Sequence, residues 1–164
     1  MIRVITRVTL LFIVLNSSGL SAIFSKEIIL IGNNKPNADI VLLNRNNTQL
    51  KNAAIILQSY IQKSTKALLP LKYIKSGNRN TIIVETRYGG ESFYNYSKLD
   101  EEGFVIKEDG KNIIISGKTD WGTEFGVYHF LESFLRIRWL MPTELWTEIP
   151  YKTNLVVRNV NIVE

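Results

Sequence analysis

The sequence predicts an α+β domain: a mostly antiparallel or mixed sheet with two amphipathic helices on one face. Three observations predict it. Short runs rich in Ile, Leu and Val recur between turn-forming residues. Two longer segments, near 48–64 and just before Arg136, carry apolar residues at helical spacing. Strands and helices do not alternate regularly, which argues against a doubly wound sheet or a barrel. A 45% hydrophobic and 21% charged composition over 164 residues suits one folded domain rather than a disordered chain.

The elements follow in order. EIILIG (27–32) and ADIVLL (38–43) read as strands separated by the turn residues NNKPN. A helix is expected from Thr48 to about Ser64, capped by Asn47 or Thr48. Leu50, Ala53, Ala54, Leu57, Tyr60, Ile61 and Ser64 share one of its faces, and Pro70 marks its outer limit. LKYI (71–74) and TIIVET (81–86) read as strands around the turn 76–80. A polar, aromatic loop spans 87–102. Residues 103–117 form a hairpin with Asp109-Gly110 at its turn.

The second helix lies in TDWGTEFGVYHFLESFLRIRWLMP (119–142). Asp120 is its expected N-cap and Glu124 sits in the first turn. Phe130, Leu131, Phe134 and Leu135 form its expected core stripe. RIRWL (136–140) reads as a strand placing Arg136 and Arg138 on one face, ended by Pro142. NLVVRNVNIV (154–163) is one more strand or a linker.

Residues 1–22 read as an export signal: Arg3 and Arg7, the apolar run 8–15, then small residues, with cleavage expected after Gly19 or Ala22. The alternative is an uncleaved membrane anchor, the only membrane contact expected; otherwise the chain is periplasmic or extracellular. The net charge is +5, and residues 1–22 hold two of the 20 basic residues and none of the 15 acids, so the remainder carries +3. These basic residues are scattered and match no nucleic-acid motif.

The chain has no cysteine, which excludes disulfides, Cys-ligated metals and a thiol nucleophile. His129 is the only histidine, so no His-pair metal site can form. No phosphate-binding glycine loop and no nucleophile turn are present, and neither a cofactor nor a metal is expected. The acids at 100–102, and Glu144 with Glu148, read as solvated rather than as a facing catalytic pair.

Two sets of candidate residues remain. Tyr88, Tyr94 and Tyr96 in the aromatic loop, with Trp121 and Trp146, are candidates for stacking on sugar rings. The bland alternative for the loop is that its own aromatics pin it. Gly122, Gly126, His129 and Ser133 make a low-relief strip on the second helix. Glycine inside a helix costs about 1 kcal/mol against alanine, so the strip is expected to admit a closely packed element, either the first helix or a neighbouring domain. The sequons Asn46-Asn47-Thr48 and Asn95-Tyr96-Ser97 bear on glycosylation only in a eukaryotic setting.

The hairpin and second helix together resemble a family. Gly103, Phe104, Ile106, Ile113, Ile115 and Gly117 fit a paired-strand pattern. Gly122, Phe125, Gly126, Val127, Tyr128, Phe130, Leu131 and Glu132 fit the helix pattern after it, and Ile137-Arg138-Trp139 with Pro142 its ending. This is similar to the N-terminal, non-catalytic domain of alpha-glucuronidase-like and, more distantly, beta-N-acetylhexosaminidase-like glycoside hydrolases, and of related large secreted bacterial proteins. AAIILQSYIQKSTKALLP (53–70) resembles the same family's first helix, with Lys66 where the family has Gly at the helix end.

The likeness covers about 27–164. It implies a hexosaminidase N-terminal-domain-like sheet with two helices on one face. Relatives carry their acid and base on a following catalytic barrel, which this chain lacks. The resemblance therefore implies a non-catalytic accessory domain in polysaccharide degradation, as a fragment or as a free-standing copy. The alternatives are a free-standing carbohydrate-binding module or a protein-interaction module.

Overall fold

A computed structural model of the chain describes residues 27–75, 77–140 and 146–164. The readings that fall on residues 1–22, Pro142 and Glu144 lie outside the described residues.

The strands are β1 (Glu27–Gly32), β2 (Lys35–Pro36), β3 (Ala38–Leu42), β4 (Leu71–Lys72), β5 (Asn80–Val84), β6 (Phe104–Asp109), β7 (Asn112–Gly117), β8 (Arg138–Trp139), β9 (Thr147–Glu148), β10 (Leu155–Arg158) and β11 (Asn161–Val163). The helices are α1 (Thr48–Thr65) and α2 (Asp120–Phe130), and a π-helical turn, Leu131–Leu135, extends α2. The main sheet runs β11-β6-β7-β5-β3-β4. It is mixed: β4, β3, β5 and β7 pair in parallel, while β6 and β11 are antiparallel.

Strand alternation divides the sheet's apolar residues between two faces. Ile40, Ile82, Val84, Phe104, Ile106, Ile113 and Ile115 face the main core with both helices. Val41, Ile83, Ile114 and Val105 face the other way. The fold is the expected α+β arrangement, and the expected apolar stripe of α1 is buried at Leu50, Ala53, Ala54, Leu57, Ile61 and Ser64.

A three-stranded sheet, β10-β1-β2, contributes Ile28, Leu30, Ile31, Leu155 and Val157 to the same core. Burying both Leu30 and Ile31 breaks strict alternation. A bulge between Ile29 and Ile31 allows it. The C-terminal segment 154–163 is two strands rather than one: β10 pairs with β1 and β11 with β6, so it ties the two sheets together.

The second helix differs from expectation in three ways. Its N-cap is Thr119, whose hydroxyl accepts from the N–H of Gly122 at 3.1 Å. Asp120 is instead the first helical residue, and its carboxylate serves other partners. The strand expected at 136–140 shrinks to Arg138–Trp139, because Arg136 adopts the left-handed conformation (φ 62°) and closes the π turn. Arg136 and Arg138 therefore do not share a strand face.

The third difference concerns the glycine strip. Gly122 and Gly126 are buried, and the element pressed against them is the β6–β7 hairpin with the turn before it, where the first helix or a neighbouring domain was expected. A Cβ on Gly122 would lie 2.4 Å from the carbonyl oxygen of Gly103, and one on Gly126 would lie 2.9 Å from Cγ2 of Ile115. On the strand side, a Cβ on Gly117 would lie 2.2 Å from the N of Thr123. The arc read as low-relief is the arc whose glycines touch the hairpin.

A polar clasp fixes the helix starts at the C-terminal ends of β3 and β5. Asn47 caps α1 by accepting from the N–H of Leu50, and its amide donates to Asp120 Oδ2 at 2.8 Å. Thr86 donates to Asp120 Oδ1 at 2.6 Å, and Gln49 donates to Glu124 at 3.1 Å. Glu85 accepts from the N–H groups of Asn44 and Thr86, both at 3.1 Å. Burial raises the Glu85 carboxyl above its usual range. These two hydrogen bonds oppose that rise and the neighbouring Asp120 charge adds to it.

Gly122→Ala should destabilise the domain by about 1–3 kcal/mol in urea unfolding, because the atom it meets is backbone. Gly77→Ala, with open space around it, should stay within about 0.5 kcal/mol of the parent. Equal effects at the two positions would remove close packing as the reason for Gly122.

Lys66 holds the left-handed C-cap of α1 at φ 61°, its N–H on the carbonyl of Gln62. Lys66→Gly should therefore stabilise by about 0.5–1 kcal/mol in the same measurement, the relieved strain being partly offset by backbone entropy.

Glu85, raised in the folded state, contributes stability that is full at acid pH and lost as pH rises through its folded value. Glu85→Gln cannot ionise. It should gain on the parent as pH climbs from about 4 to 7, and parallel stability curves over that window would contradict the assignment.

Candidate binding surface

The aromatic loop 87–102 folds back over the sheet face that the helices leave open. Tyr88 and Phe93 pack on Val41, Ile83 and Ile114, and Phe93 and Tyr94 pack beside Tyr96, Leu99 and Val105. Tyr96 is completely buried. Its hydroxyl donates to the carbonyl of Tyr88 (3.0 Å) or to Ser116 Oγ (2.9 Å). Burial pushes its phenol pKa up. Tyr96 thus offers no ring face to a sugar, which corrects the expectation for that residue: its apolar body fills a core position while its hydroxyl finds buried partners. Tyr88 and Tyr94 are half-buried, each in edge-to-face contact, with Phe93 and Tyr96 respectively.

The tryptophans lie elsewhere. Trp146 is exposed on the small β8–β9 ribbon, where its carbonyl accepts from the N–H of Leu140. Trp121 is 61% exposed on the first turn of α2, and Phe125, one turn later, is 41% exposed. The five proposed sugar-stacking residues are therefore not brought to one place. Trp121 shares its recess with Phe125, which no aromatic motif singled out. The i, i+4 spacing of Trp121 and Phe125 was visible in the sequence, but Trp121 was read as a sugar-stacking candidate without Phe125, which entered only through the family's helix pattern.

Trp121 and Phe125 form a ledge between α2 and the turn before β6. Glu101, Glu102 and Thr119 complete a recess of about 410 Å³ beside them. On the other side of Phe125 lies a second open recess of about 410 Å³, lined by Asp100, Glu102, Tyr128, His129, Glu132 and Glu164 among others. The turn is held by the N–H of Glu102 on Asp100 Oδ1 (3.0 Å) and by the Thr119 hydroxyl donating to the carbonyl of Glu101 (2.5 Å). Gly122 sets how near this turn comes, since its Cα side faces the carbonyls of Glu102 and Gly103.

His129 lies 3.3 Å from Glu164 and tilts against the Phe104 ring, and Lys118 pairs with Glu101 at 2.8 Å. Asp100, Glu102 and Glu132 have no ion pair among the described residues. The surface is acidic although the whole chain carries +5. Burial, and the charge of Glu124, raise the Tyr128 phenol, so it stays neutral at this surface.

Of the helix strip, Gly122 and Gly126 face the sheet, while His129 and Ser133 are half-buried at its edge. The π turn begins at Leu131, so a regular helical wheel drifts out of phase before Ser133. Among the described residues no group of three or more His, Cys, Asp or Glu is arranged to hold a metal. No described helix is long and apolar enough to cross a membrane.

No protein-family profile matches the sequence. No curated protein matches it either. Solved structures do match its fold, and those structures are glycoside hydrolases. The GH20 beta-N-acetylhexosaminidase of Streptomyces coelicolor A3(2) aligns with a TM-score of 0.52 and 13% identity, covering 85% of this chain and 24% of that one. A family GH115 4-O-methyl-alpha-glucuronidase with specificity for decorated arabinogalactans aligns with a TM-score of 0.50 and 16% identity over 80% of this chain and 18% of that one. The N-acetyl-beta-hexosaminidase of Streptomyces plicatus gives 0.50 and 12% over 77% and 21%. The chain spans about a fifth to a quarter of the length of these enzymes, and its fold is one that recurs within glycoside hydrolases.

Proposed function

We propose that the chain is a non-catalytic accessory domain of a secreted glycoside hydrolase that degrades polysaccharide, as a fragment or a truncated copy. The observation that carries this reading is the asymmetry of the fold match. Most of this chain aligns with a small part of each hydrolase, whose remaining length has no counterpart here. The resemblance of the hairpin and α2 to the hydrolases' N-terminal domain supports the same reading. So does the export signal read at residues 1–22. Its partner would be a catalytic barrel, in cis or missing, with polysaccharide as the shared target. The reading requires no metal or cofactor.

A second reading, a free-standing carbohydrate-binding module, is favoured by one specific observation: the exposed Trp121 and Phe125 beside open recesses. An aromatic face suits the C–H side of a sugar ring and its edges suit hydroxyls. The two readings are compatible, because an accessory domain can hold the polymer that its enzyme cuts.

The purified chain should release no product from aryl-glycoside substrates. Turnover that is lost in Glu102→Gln would overturn the accessory reading, because it would place a working carboxylate on this domain.

A further inference from the structure

We propose that the α2 ledge binds amino-sugar polymers bearing free amines, with a pyranose face against Trp121 and Phe125 and the ammonium group toward Glu102. The inference rests on the carbohydrate-directed reading above and names the ligand class of the surface.

Three features select that class. The ring faces are available: Trp121 and Phe125 are 61% and 41% exposed, one helical turn apart. Four residues rise about 6 Å along the helix, so neighbouring sugar rings of an extended polymer can each meet one aromatic. Among the described residues Glu102, Asp100 and Glu132 have no ion pair, whereas Glu101 and Glu164 already hold Lys118 and His129. An ammonium beside an aromatic face and a carboxylate gains from both.

The hydrogen-bonding capacity left to a ligand is mostly acceptor. The Thr119 hydroxyl is spent on the carbonyl of Glu101, so the recess beside Trp121 presents carboxylates and ring faces. The complementary ligand is cationic, rich in donors and flat on one side. A hexosamine with a free amine meets all three conditions. A uronate would be repelled by the acids, and an N-acetylated sugar would leave their charge unanswered. A lysine side chain supplies the charge but neither the ring face nor the hydroxyl donors.

The test is calorimetric titration of the full chain in a mildly acidic buffer that keeps the glucosamine amines protonated. Four probes are compared at low salt: glucosamine hexamer, N-acetylglucosamine hexamer, an oligogalacturonate and hexalysine. The free-amine hexamer should bind at least about tenfold more tightly than its acetylated form, with no detectable uronate binding. Trp121→Ala and Glu102→Gln should each weaken it about fivefold with unchanged circular dichroism, since both residues are exposed.

Equal binding of the acetylated hexamer, or no binding of the free-amine one, would overturn the proposal. Hexalysine binding as tightly would overturn it in favour of a cationic protein segment. Any of these results leaves the accessory reading standing unless the chain also turns over a glycoside, so the two failures are distinguishable.

Discussion

The domain depends on one close contact, the descent of α2 onto the β6–β7 hairpin. Gly117 on the strands and Gly122 and Gly126 on the helix remove the side chains that would hold the two elements apart. Thr123 uses the proximity: its hydroxyl accepts from the N–H of Gly117 at 2.9 Å and donates to the carbonyl of Thr119 at 3.0 Å. The cost of two glycines in a helix is offset by this hydrogen bonding and by the burial of Val127, Phe130 and Leu131 in the core between helix and sheet. With α2 so low on the hairpin, its outer edge is brought level with the turn at 100–103, and the ledge exists only because of that height.

The clasp at the starts of the helices has a complementary role. The C-terminal ends of parallel strands followed by helices are a common ligand position, and polar groups do converge there. Yet Asp120 has both carboxylate oxygens engaged by Asn47 and Thr86, and Glu85 accepts two backbone N–H groups. The groups satisfy one another, locking α1 to α2. On the outer side of α2 and the turn beside it, Glu102 and Glu132 have no ion pair among the described residues and Trp121 is exposed to solvent.

Much of the fold was legible because it follows local rules. The apolar stripe of α1, the Asp109-Gly110 hairpin and the continuous apolar strands all formed where periodicity and turn residues put them. What was not legible depends on contacts distant in sequence. A helical wheel sorts residues by polarity, and glycine counts as neutral. It therefore grouped Gly122 and Gly126 with His129 and Ser133 off the apolar stripe, although the partner that needs their smallness is a strand pair. The same limit hid Tyr96: an aromatic between Asn95 and Ser97 looks exposed until the loop is seen covering the second face of the sheet. Splitting 154–163 between two sheets is likewise a matter of which edges remain free, not of local propensity.

The opposed sheet faces also decide which aromatics could act together. Tyr88 and Tyr94 belong to a loop that covers one face, while Trp121 stands on a helix that covers the other. A polymer on the proposed ledge would meet Trp121, Phe125 and the end of that loop at Glu102, not its aromatics Tyr88 and Phe93, which shield Val41, Ile83 and Ile114. The loop has a structural duty that the ledge lacks. Removing a half-buried tyrosine should then be felt in stability, while removing Trp121 leaves the core intact. That asymmetry, more than aromatic content alone, separates the surface free to bind from the surface the fold has already used.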